Sequence, residues 1–240
     1  MGLLVYPESS RKIFYEIKSL INEGEVLKGG GTTVYLVRFR SRKLSVKITK
    51  LSRLKKSSTL LYLVGPSKGY REFKNVRLLK HAGFNVPEPL MYWEIRKHGV
   101  VEETGFVEEY LDDVVPVRDV LSVNSTDKDV LKILANTFRR LHDAGFFMRD
   151  LTFGNFFLSQ DHRMLYIIDV SRMVYLHISV PLFLRFEDLS KVDSDEPALS
   201  ILMDFYWGED RGISRFSANY VMKRKQLRRI RKRITHKLKI

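Results

Sequence analysis

The pattern of apolar and polar positions predicts strands in residues 24–49. Two runs rich in apolar residues, Val34–Phe39 and the stretch LSVKIT at 44–49, flank the polar turn SRK. Within the first run, residues 34, 36 and 38 alternate with residues 35, 37 and 39, which favours a strand over a helix. Three consecutive glycines, Gly29, Gly30 and Gly31, precede this run and indicate a turn.

A helix is predicted in the stretch GYREFKNVRLLKHAGFNVPEP, ending at Gly83 with prolines beyond it. Helical spacing places Glu72, Val76 and Leu79 on one face. A carboxylate on the apolar side of a helix is costly to bury alone, so we expect a charged partner for Glu72. The alternative is that Glu72 lies at the helix start and complements the helix dipole.

Residues 105–111, GFVEEYL, are typical of a strand that leads into a connector. Residues 125–145 predict a second helix, with Ser125 or Thr126 as its N-cap and Gly145 at its end. Its apolar positions form a stripe that indicates core packing rather than chemistry. The stripe comprises Val130, Leu134, Phe138 and Leu141.

The stretch FMRDLTFGNFFL at 147–158 is followed by a predicted hairpin. Apolar runs at 156–158 and 165–168 are joined by the polar SQDHR. Asn155 precedes the first strand and Asp169 follows the second, so an antiparallel pairing brings both to one end, within reach of Asp150. Oxygen-bearing side chains that meet there suit Mg²⁺. The alternatives are a turn aspartate at 150 and a cap or left-handed turn residue at 155.

Composition limits the classes of site and location. The 240 residues suffice for one large domain or two small lobes. The chain has no cysteine, which excludes disulfides and thiolate metal sites. Its six histidines show no metal-site spacing, and His142 is more typical of a helix C-terminus than of a ligand. We expect a cytoplasmic protein, since neither a signal peptide nor an apolar run of about 18 residues is seen.

The positive charge is concentrated at the C-terminus. The net charge is +14, and residues 221–240 contain ten Lys or Arg and no acid, so removing ten from +14 leaves +4 for the rest. If this tail is helical, a narrow apolar stripe runs along a cationic surface, which suits a helix lying on an anionic membrane. Nucleic-acid phosphates and a solvated terminal helix are the alternatives. The stripe comprises Leu227, Ile230, Ile234 and Leu238.

Taken in order, these motifs resemble the protein-kinase-like fold over residues 24–175. The turn KGGGTTVYL resembles a phosphate-covering loop, and Lys47 in SVKI resembles the strand lysine that pairs with the helix glutamate, here Glu72. EEYL resembles the hinge that takes adenine. MRDLTFGN is similar to HRDLxxxN with Met148 in place of histidine, and Asp169 in IIDVS corresponds to the DFG aspartate.

Within that fold the chain most resembles the lipopolysaccharide kinases, which phosphorylate 3-deoxy-D-manno-octulosonic acid (Kdo) or heptose in the inner core. The resemblance lies in REFKNVRLLKHAGFNVPEPL, LHDAGFFMRDLTFGNFFL and RFEDL at 185–189. It implies an α+β, protein-kinase-like bilobal fold. The expected N-lobe spans 1–111 and contains a small antiparallel sheet and one helix. The expected C-lobe spans 112–220, is reduced and mostly helical, and contains the catalytic loop, the metal aspartate and the acceptor region. A basic tail follows at 221–240.

The resemblance also implies the role of each site residue. Asp150 would be the catalytic base for a sugar hydroxyl, and Asn155 and Asp169 would hold Mg²⁺. Lys47 would hold the ATP phosphates, oriented by Glu72. The implied partners are a lipopolysaccharide core or lipid A precursor and the inner face of the cytoplasmic membrane. The residues expected to contact ATP are Gly29, Gly30, Gly31, Lys47, Glu72, Glu109, Tyr110 and Leu111.

Three departures from the kinase pattern keep other functions open. Met148 replaces a histidine of the loop, Val170 and Ser171 replace Phe-Gly, and Glu108 is unusual beside an adenine pocket. One alternative is a small atypical protein kinase, because RDLTFGN also resembles the kinase associated with tRNA threonylcarbamoyl transfer. The other is a pseudokinase scaffold that binds nucleotide without turnover.

Overall fold

A computed structural model describes residues 2–51, 65–208 and 210–237, without the side chains of residues 211 and 228–237. The chain divides into two compact units. The first contains Met1–Asp112 together with Ile167–Ser171, and the second contains Asp113–Tyr166 and Arg172–Ile240. The short segment that carries Asp169 therefore belongs with the first unit, whereas the sequence placed it in the C-lobe.

The first unit contains a six-stranded antiparallel sheet with strand order β1-β5-β6-β4-β3-β2. The predicted strands in 24–49 and 105–111 are confirmed as parts of β2, β3, β4 and β6. One face of β3 and β4 is buried, including Val37, Leu44 and Val46. The strands are β1 Gly2–Tyr6, β2 Glu25–Lys28, β3 Thr32–Phe39, β4 Arg42–Lys50, β5 Pro89–Lys97 and β6 Val100–Glu109.

Two described helices complete the first unit, α1 Arg11–Leu20 and α2 Lys68–His81. Helix α2 is the predicted one, and Gly83 follows it with a positive φ of 78°. Its N-cap is Ser67, whose side chain accepts a hydrogen bond from the N–H of Tyr70. Helix α1 was not predicted, although its buried Phe14, Ile17 and the following Ile21 have helical spacing and join the core of the sheet.

The second unit is mostly helical, with three short strands in one sheet, β10-β9-β7, and two in another, β11-β8. The predicted hairpin is confirmed, since β9 and β10 are neighbours. Its described helices are α3 Val117–Val123, α4 Lys128–Asp143, α5 Leu182–Leu189, α6 Glu196–Trp207 and α7 Arg211–Lys237. Its strands are β7 Val114–Pro116, β8 Phe146–Phe147, β9 Phe156–Ser159, β10 Leu165–Ile167 and β11 Val174–Tyr175.

The helix predicted at 125–145 begins later than expected. Its N-cap is Asp127 rather than Ser125 or Thr126, because the Asp127 carboxylate accepts hydrogen bonds from the N–H groups of Asp129 and Val130. Thr126 instead belongs to a turn in which its N–H and hydroxyl donate to Asn124. The predicted apolar stripe is fully buried, and the positive φ of Gly145 marks the predicted helix end.

Helix α7 passes through the boundary at 220/221 that the sequence suggested for the tail. Val221 is buried, Arg224 pairs with Glu187 and the Lys225 ammonium donates to the carbonyl of Ser194 at 2.7 Å. The first part of the basic tail is thus packed against the second unit. Of the predicted apolar stripe, Leu227 is exposed, while the side chains at 230 and 234 and all of residue 238 lie outside the described residues.

Candidate active site

Lys47 lies on β4 and forms ion pairs with two buried carboxylates. Its Nζ is 3.0 Å from Glu72 Oε1 and 2.8 Å from Glu108 Oε1. Glu72 is buried on α2, so the partner that its burial requires is present. The alternative role of Glu72, a complement to the helix dipole alone, does not account for this contact. The Glu108 contact was not expected.

The charges around Lys47 keep its side chain ionised. Burial alone would lower the pKa of the Lys47 ammonium, but the negative charges of Glu108, Glu72 and Asp169 raise it above its ordinary value. Burial raises the pKa of the Glu108 carboxyl, and the charge of Lys47 opposes this shift. One ammonium is therefore shared by two buried acids, with a third carboxylate in its field.

Asp169 is held to the first unit through its neighbours. The Asn75 side chain on α2 donates to the carbonyl of Val170 at 2.7 Å, and the Ile167 N–H donates to the carbonyl of Asn85 at 3.0 Å. Asp169 has a φ of 52°, a left-handed conformation that is uncommon outside glycine and is often found at functional sites. Its carboxylate is about one-third exposed and so remains accessible to a ligand.

Lys68 is a second cation near Asp169 that sequence reasoning missed. It is the first residue of α2, and its Nζ is 3.9 Å from Asp169 Oδ1. The same ammonium donates to the hydroxyl of Thr32 at 3.1 Å, and Thr32 directly follows the three glycines. The available signal was its position four residues before Glu72, on the same helix face.

The glycine turn connects β2 to β3 and is open. Gly30 has a φ of 126°, a conformation that side chains rarely adopt. A Cβ atom on Gly29 or Gly30 would meet no atom within 4 Å. The turn therefore has room for a ligand to approach its backbone.

The segment expected to hold adenine has two of its three N–H groups in use. The N–H of Glu109 donates to the carbonyl of Glu88 at 2.9 Å, and that of Tyr110 donates to the carbonyl of Lys43 at 3.0 Å. These bonds fix the end of β6. A base placed here would have to use the Leu111 N–H, the carbonyl groups or a side chain.

Asp150 and Asn155 are brought together in the second unit. The Asn155 side-chain nitrogen donates to the Asp150 carbonyl at 2.8 Å, so the amide oxygen faces the other way. Asp150 Oδ2 is 3.3 Å from the exposed Arg172 guanidinium, and about one-third of the Asp150 side chain is exposed. Arg149, directly before it, has a φ of 63°. The loop thus presents a partly exposed carboxylate on a constrained backbone.

Two aspartates that lie C-terminal to this loop in the sequence hold its two ends, at residues 148–149 and at residue 153. Asp188, fully buried on α5, accepts the N–H groups of Met148 and Arg149, each at 2.7 Å. Asp193 accepts the N–H of Phe153 at 2.7 Å. Neither role was predicted, although Asp188 lies in the RFEDL segment that carries the family resemblance.

His142 supports Asp188 from α4. Its Nε2 is 3.3 Å from Asp188 Oδ2, and its Nδ1 is 2.6 Å from the hydroxyl of Tyr206. All three side chains are buried, and burial raises the pKa of the Tyr206 hydroxyl, which therefore stays protonated at neutral pH. The expectation that His142 is structural agrees with these contacts.

The structure therefore forms two clusters from the predicted site residues. The first unit holds Lys47, Glu72 and Asp169, and the second holds Asp150 and Asn155. Joint action of the two clusters stays a prediction. In the described ranges, no group of three or more His, Cys, Asp or Glu residues is arranged to hold a metal ion, and no helix is long and apolar enough to cross a membrane.

Comparisons with known proteins give one consistent picture. The family model described as "Lipopolysaccharide kinase (Kdo/WaaP) family" matches residues 17–191. A 3-deoxy-D-manno-octulosonic acid kinase from Vibrio cholerae serotype O1 is 26% identical over 106 residues, which are 44% of each chain. The match thus spans less than half of that relative's length. A structure titled "WaaP in complex with acyl carrier protein" has a TM-score of 0.65 at 20% identity, covering 94% of this chain and 97% of that one. The predicted α+β, protein-kinase-like fold is confirmed.

Proposed function

The chain belongs to the lipopolysaccharide kinase (Kdo/WaaP) family, and we propose that it transfers the γ-phosphoryl group of ATP to a Kdo hydroxyl of the lipopolysaccharide inner core. The observation that carries this proposal is the buried Lys47–Glu72 ion pair in a chain of this family. Kdo is preferred over heptose because the curated relative is named as a Kdo kinase.

The nucleotide would bind along the residues of the first unit. Lys47 would contact the α- and β-phosphates, and Glu72 would keep its ammonium in position. The amides of Gly29, Gly30 and Gly31 would approach the phosphates, which the open glycine turn supports. The backbone of Glu109, Tyr110 and Leu111 would contact adenine, with the Leu111 N–H as the available amide.

Asn155 and Asp169, each an oxygen donor in its own unit, would hold a magnesium ion. The Asp169 carboxylate is partly exposed, and the Asn155 nitrogen is taken by the Asp150 carbonyl, which turns the amide oxygen away from that bond. Both are hard oxygen ligands of the kind that Mg²⁺ prefers. When bound, the ion would neutralise charge on the phosphate oxygens.

Asp150 would act on the acceptor hydroxyl. Its carboxylate would orient the sugar hydroxyl and accept its proton, while the sugar oxygen forms a bond to the γ-phosphorus and the bond to the β-phosphate oxygen breaks. ADP leaves, and the proton remains on Asp150 until solvent takes it. The partly exposed carboxylate and the constrained backbone at Arg149 support this role.

The substitution at position 148 does not argue against activity. The Met148 side chain is buried, and its backbone N–H still bonds to Asp188. The loop is therefore held by its backbone and does not depend on a histidine at this position. This favours a working kinase over a scaffold.

A transfer assay tests the proposed function. Purified protein, γ-labelled ATP and Mg²⁺ are incubated with a dephosphorylated Kdo–lipid A precursor, a dephosphorylated heptose-containing core, or a generic protein substrate. We expect label in the Kdo acceptor, and loss of label in Lys47→Met to below about 1% of wild type, because the phosphates lose their cation.

The other outcomes each select a different function. Label in the heptose core alone would move the acceptor to heptose. Label in protein alone would indicate an atypical protein kinase. Nucleotide binding without transfer to any acceptor would indicate a scaffold. Lys191→Met is the matched control: it removes a partly buried lysine that pairs with Glu187, and it should retain wild-type labelling.

We further propose that residues 228–240 bind the enzyme peripherally to the anionic cytoplasmic membrane surface where its lipid-linked substrate lies. These residues contain seven Lys or Arg, each expected to contribute about 1 kcal/mol near such a surface. Replacing all seven with Gln should weaken binding to anionic vesicles at least about a hundredfold at low salt. Co-sedimentation measures this.

The contacts of residues 221–225 decide where the altered segment of the tail should begin. Val221, Arg224 and Lys225 pack against the second unit, so a deletion that starts at 221 would damage the fold. The variant in which all seven Lys and Arg are replaced with Gln should keep wild-type nucleotide affinity. Its affinity for neutral vesicles should be as low as that of the wild-type protein. Unchanged binding to anionic vesicles would contradict the membrane proposal, and retention by RNA instead would favour nucleic acid.

A further inference from the structure

Glu108 has one carboxylate oxygen without a hydrogen-bond partner. It lies near the end of β6, and its side chain is only 4% exposed. Oε1 contacts Lys47 at 2.8 Å, whereas Oε2 is buried and has no hydrogen-bond partner within the described part of the chain. Buried polar atoms are nearly always satisfied, so an orphaned oxygen beside a candidate active site requires an explanation.

The groups around Glu108 do not provide that partner. Glu108 faces Lys47 on β4, whose ammonium is already shared with Glu72 of α2. The negative charge of Asp169, in the segment 167–171, also acts on Glu108. Across the sheet on β5 its register partner is Pro89, which has no titratable side chain. Lys47 is the cation at this position, and the acids around it add negative charge. A donor for Oε2 therefore has to come from a ligand or from water.

The position of Glu108 identifies the part of the ligand that would reach it. Glu108 directly precedes Glu109, Tyr110 and Leu111, the stretch assigned to the base in the proposed function. The N–H groups of Glu109 and Tyr110 are used within the first unit. Two backbone N–H groups at this segment are thus not available to a base, and a nearby side chain can supply part of its recognition.

We propose that Glu108 is a base-specificity residue that accepts a hydrogen bond at Oε2 from the exocyclic 6-amino group of adenine. The Glu108 carboxylate is held against the Lys47 ammonium at 2.8 Å and presents acceptor oxygens, so it favours a base edge that carries a donor. Adenine has an amino group at position 6, whereas guanine has a carbonyl oxygen there, which would face the carboxylate as a second acceptor. Selection of 6-aminopurine nucleotides follows from this difference.

The same carboxylate would connect the base to the phosphate-binding lysine. Oε1 already holds Lys47, and a bond from the base to Oε2 would fix the carboxylate plane and with it the Lys47 ammonium. A 6-aminopurine would thus help to position the cation for its own phosphates. This inference rests on the proposed binding of the base at 109–111.

Nucleotide binding to the wild-type protein tests the inference without any substitution. Isothermal titration in the presence of Mg²⁺ compares ATP, GTP and purine riboside triphosphate, which has hydrogen in place of the 6-amino group. The last should bind about ten- to a hundredfold more weakly than ATP, the loss expected for one hydrogen bond to a charged group. GTP should bind more weakly again, since its 6-oxo group opposes the carboxylate.

The variant Glu108→Gln provides the second readout. Its amide can donate as well as accept, so the preference for ATP over GTP should fall at least about tenfold. Glu103→Gln, which changes another buried glutamate of β6, is the control and should keep the wild-type preference. Thermal denaturation checks that both variants fold, and the wild-type comparison stands if either does not.

The outcomes separate this inference from the proposed function. Equal affinity for ATP and purine riboside triphosphate would overturn the role of Glu108, because a water molecule would then satisfy Oε2, while the kinase proposal would stand. An unchanged ATP preference in folded Glu108→Gln would also overturn it. A wild-type protein that binds none of the three nucleotides would overturn the proposed function and this inference together.

Discussion

Asp150→Asn is expected to lower kcat for phosphoryl transfer about a thousandfold, within the range that positioned general acid–base groups contribute. Asparagine keeps the size of the side chain and can still hydrogen bond with Arg172, but its amide cannot accept the proton of the acceptor hydroxyl. KM for ATP should change little, because the nucleotide contacts proposed for Lys47 and Glu72 belong to the first unit. Steady-state assays with the sugar acceptor measure both constants.

The fold should tolerate this substitution. The Asp150 carboxylate is about one-third exposed, and Arg172, with which it pairs, is 69% exposed, so the ion pair contributes at most about 1 kcal/mol. Asp161→Asn, in the exposed turn between β9 and β10, is the matched control and should keep wild-type kcat. A folded Asp150→Asn protein with more than about one-tenth of wild-type turnover would show that Asp150 is a turn residue and not the base.

Features that depend on local periodicity could be predicted from the sequence. The strands around Gly29–Gly31 and the helix with Glu72 could be predicted because the spacing of apolar residues within one short segment is enough to indicate each element. The burial of Glu72 required a partner, and the order of motifs pointed to Lys47. Their 3.0 Å contact confirms that argument.

Features that depend on pairing between distant segments could not be predicted. Glu108 faces Lys47 because β4 and β6 pair with Lys47 opposite Phe106 and Ser45 opposite Glu108, a register that no single segment specifies. Lys68 reaches Thr32 only once α2 is placed on the sheet. The sequence marked Glu108 as unusual without supplying its partner.

The N-cap error at 125–127 has a different cause. Serine, threonine and aspartate are all good caps, so composition alone leaves three adjacent candidates. The structure selects Asp127 because Asn124 engages Thr126 in a turn of its own. Local hydrogen bonds of this kind compete with those of the helix and help to set its boundary.

The loop that carries Asp150, the proposed base, is anchored by Asp188, a residue 38 positions beyond Asp150 in the chain. Asp188 accepts the N–H groups of Met148 and Arg149 and contacts His142, and the side chains of Asp188, Met148 and His142 are buried. These bonds also support the left-handed backbone at Arg149 that precedes the proposed base. Asp193 holds the other end of the loop at Phe153, but its side chain is 36% exposed.

Asp188→Ala is therefore expected to lower the free energy of unfolding by about 3 kcal/mol or more, because it leaves the N–H groups of Met148 and Arg149 and the buried His142 ring without their acceptor. Asp193→Ala should cost only about 1 kcal/mol, since the Asp193 side chain is partly exposed and gives up less burial when it is removed. Urea denaturation measures both values. At temperatures where Asp188→Ala remains folded, kcat should fall while KM for ATP stays near wild type, because the loop rather than the nucleotide site has lost its anchor. Equal destabilisation by the two variants would show that Asp188 is not the principal support of the loop.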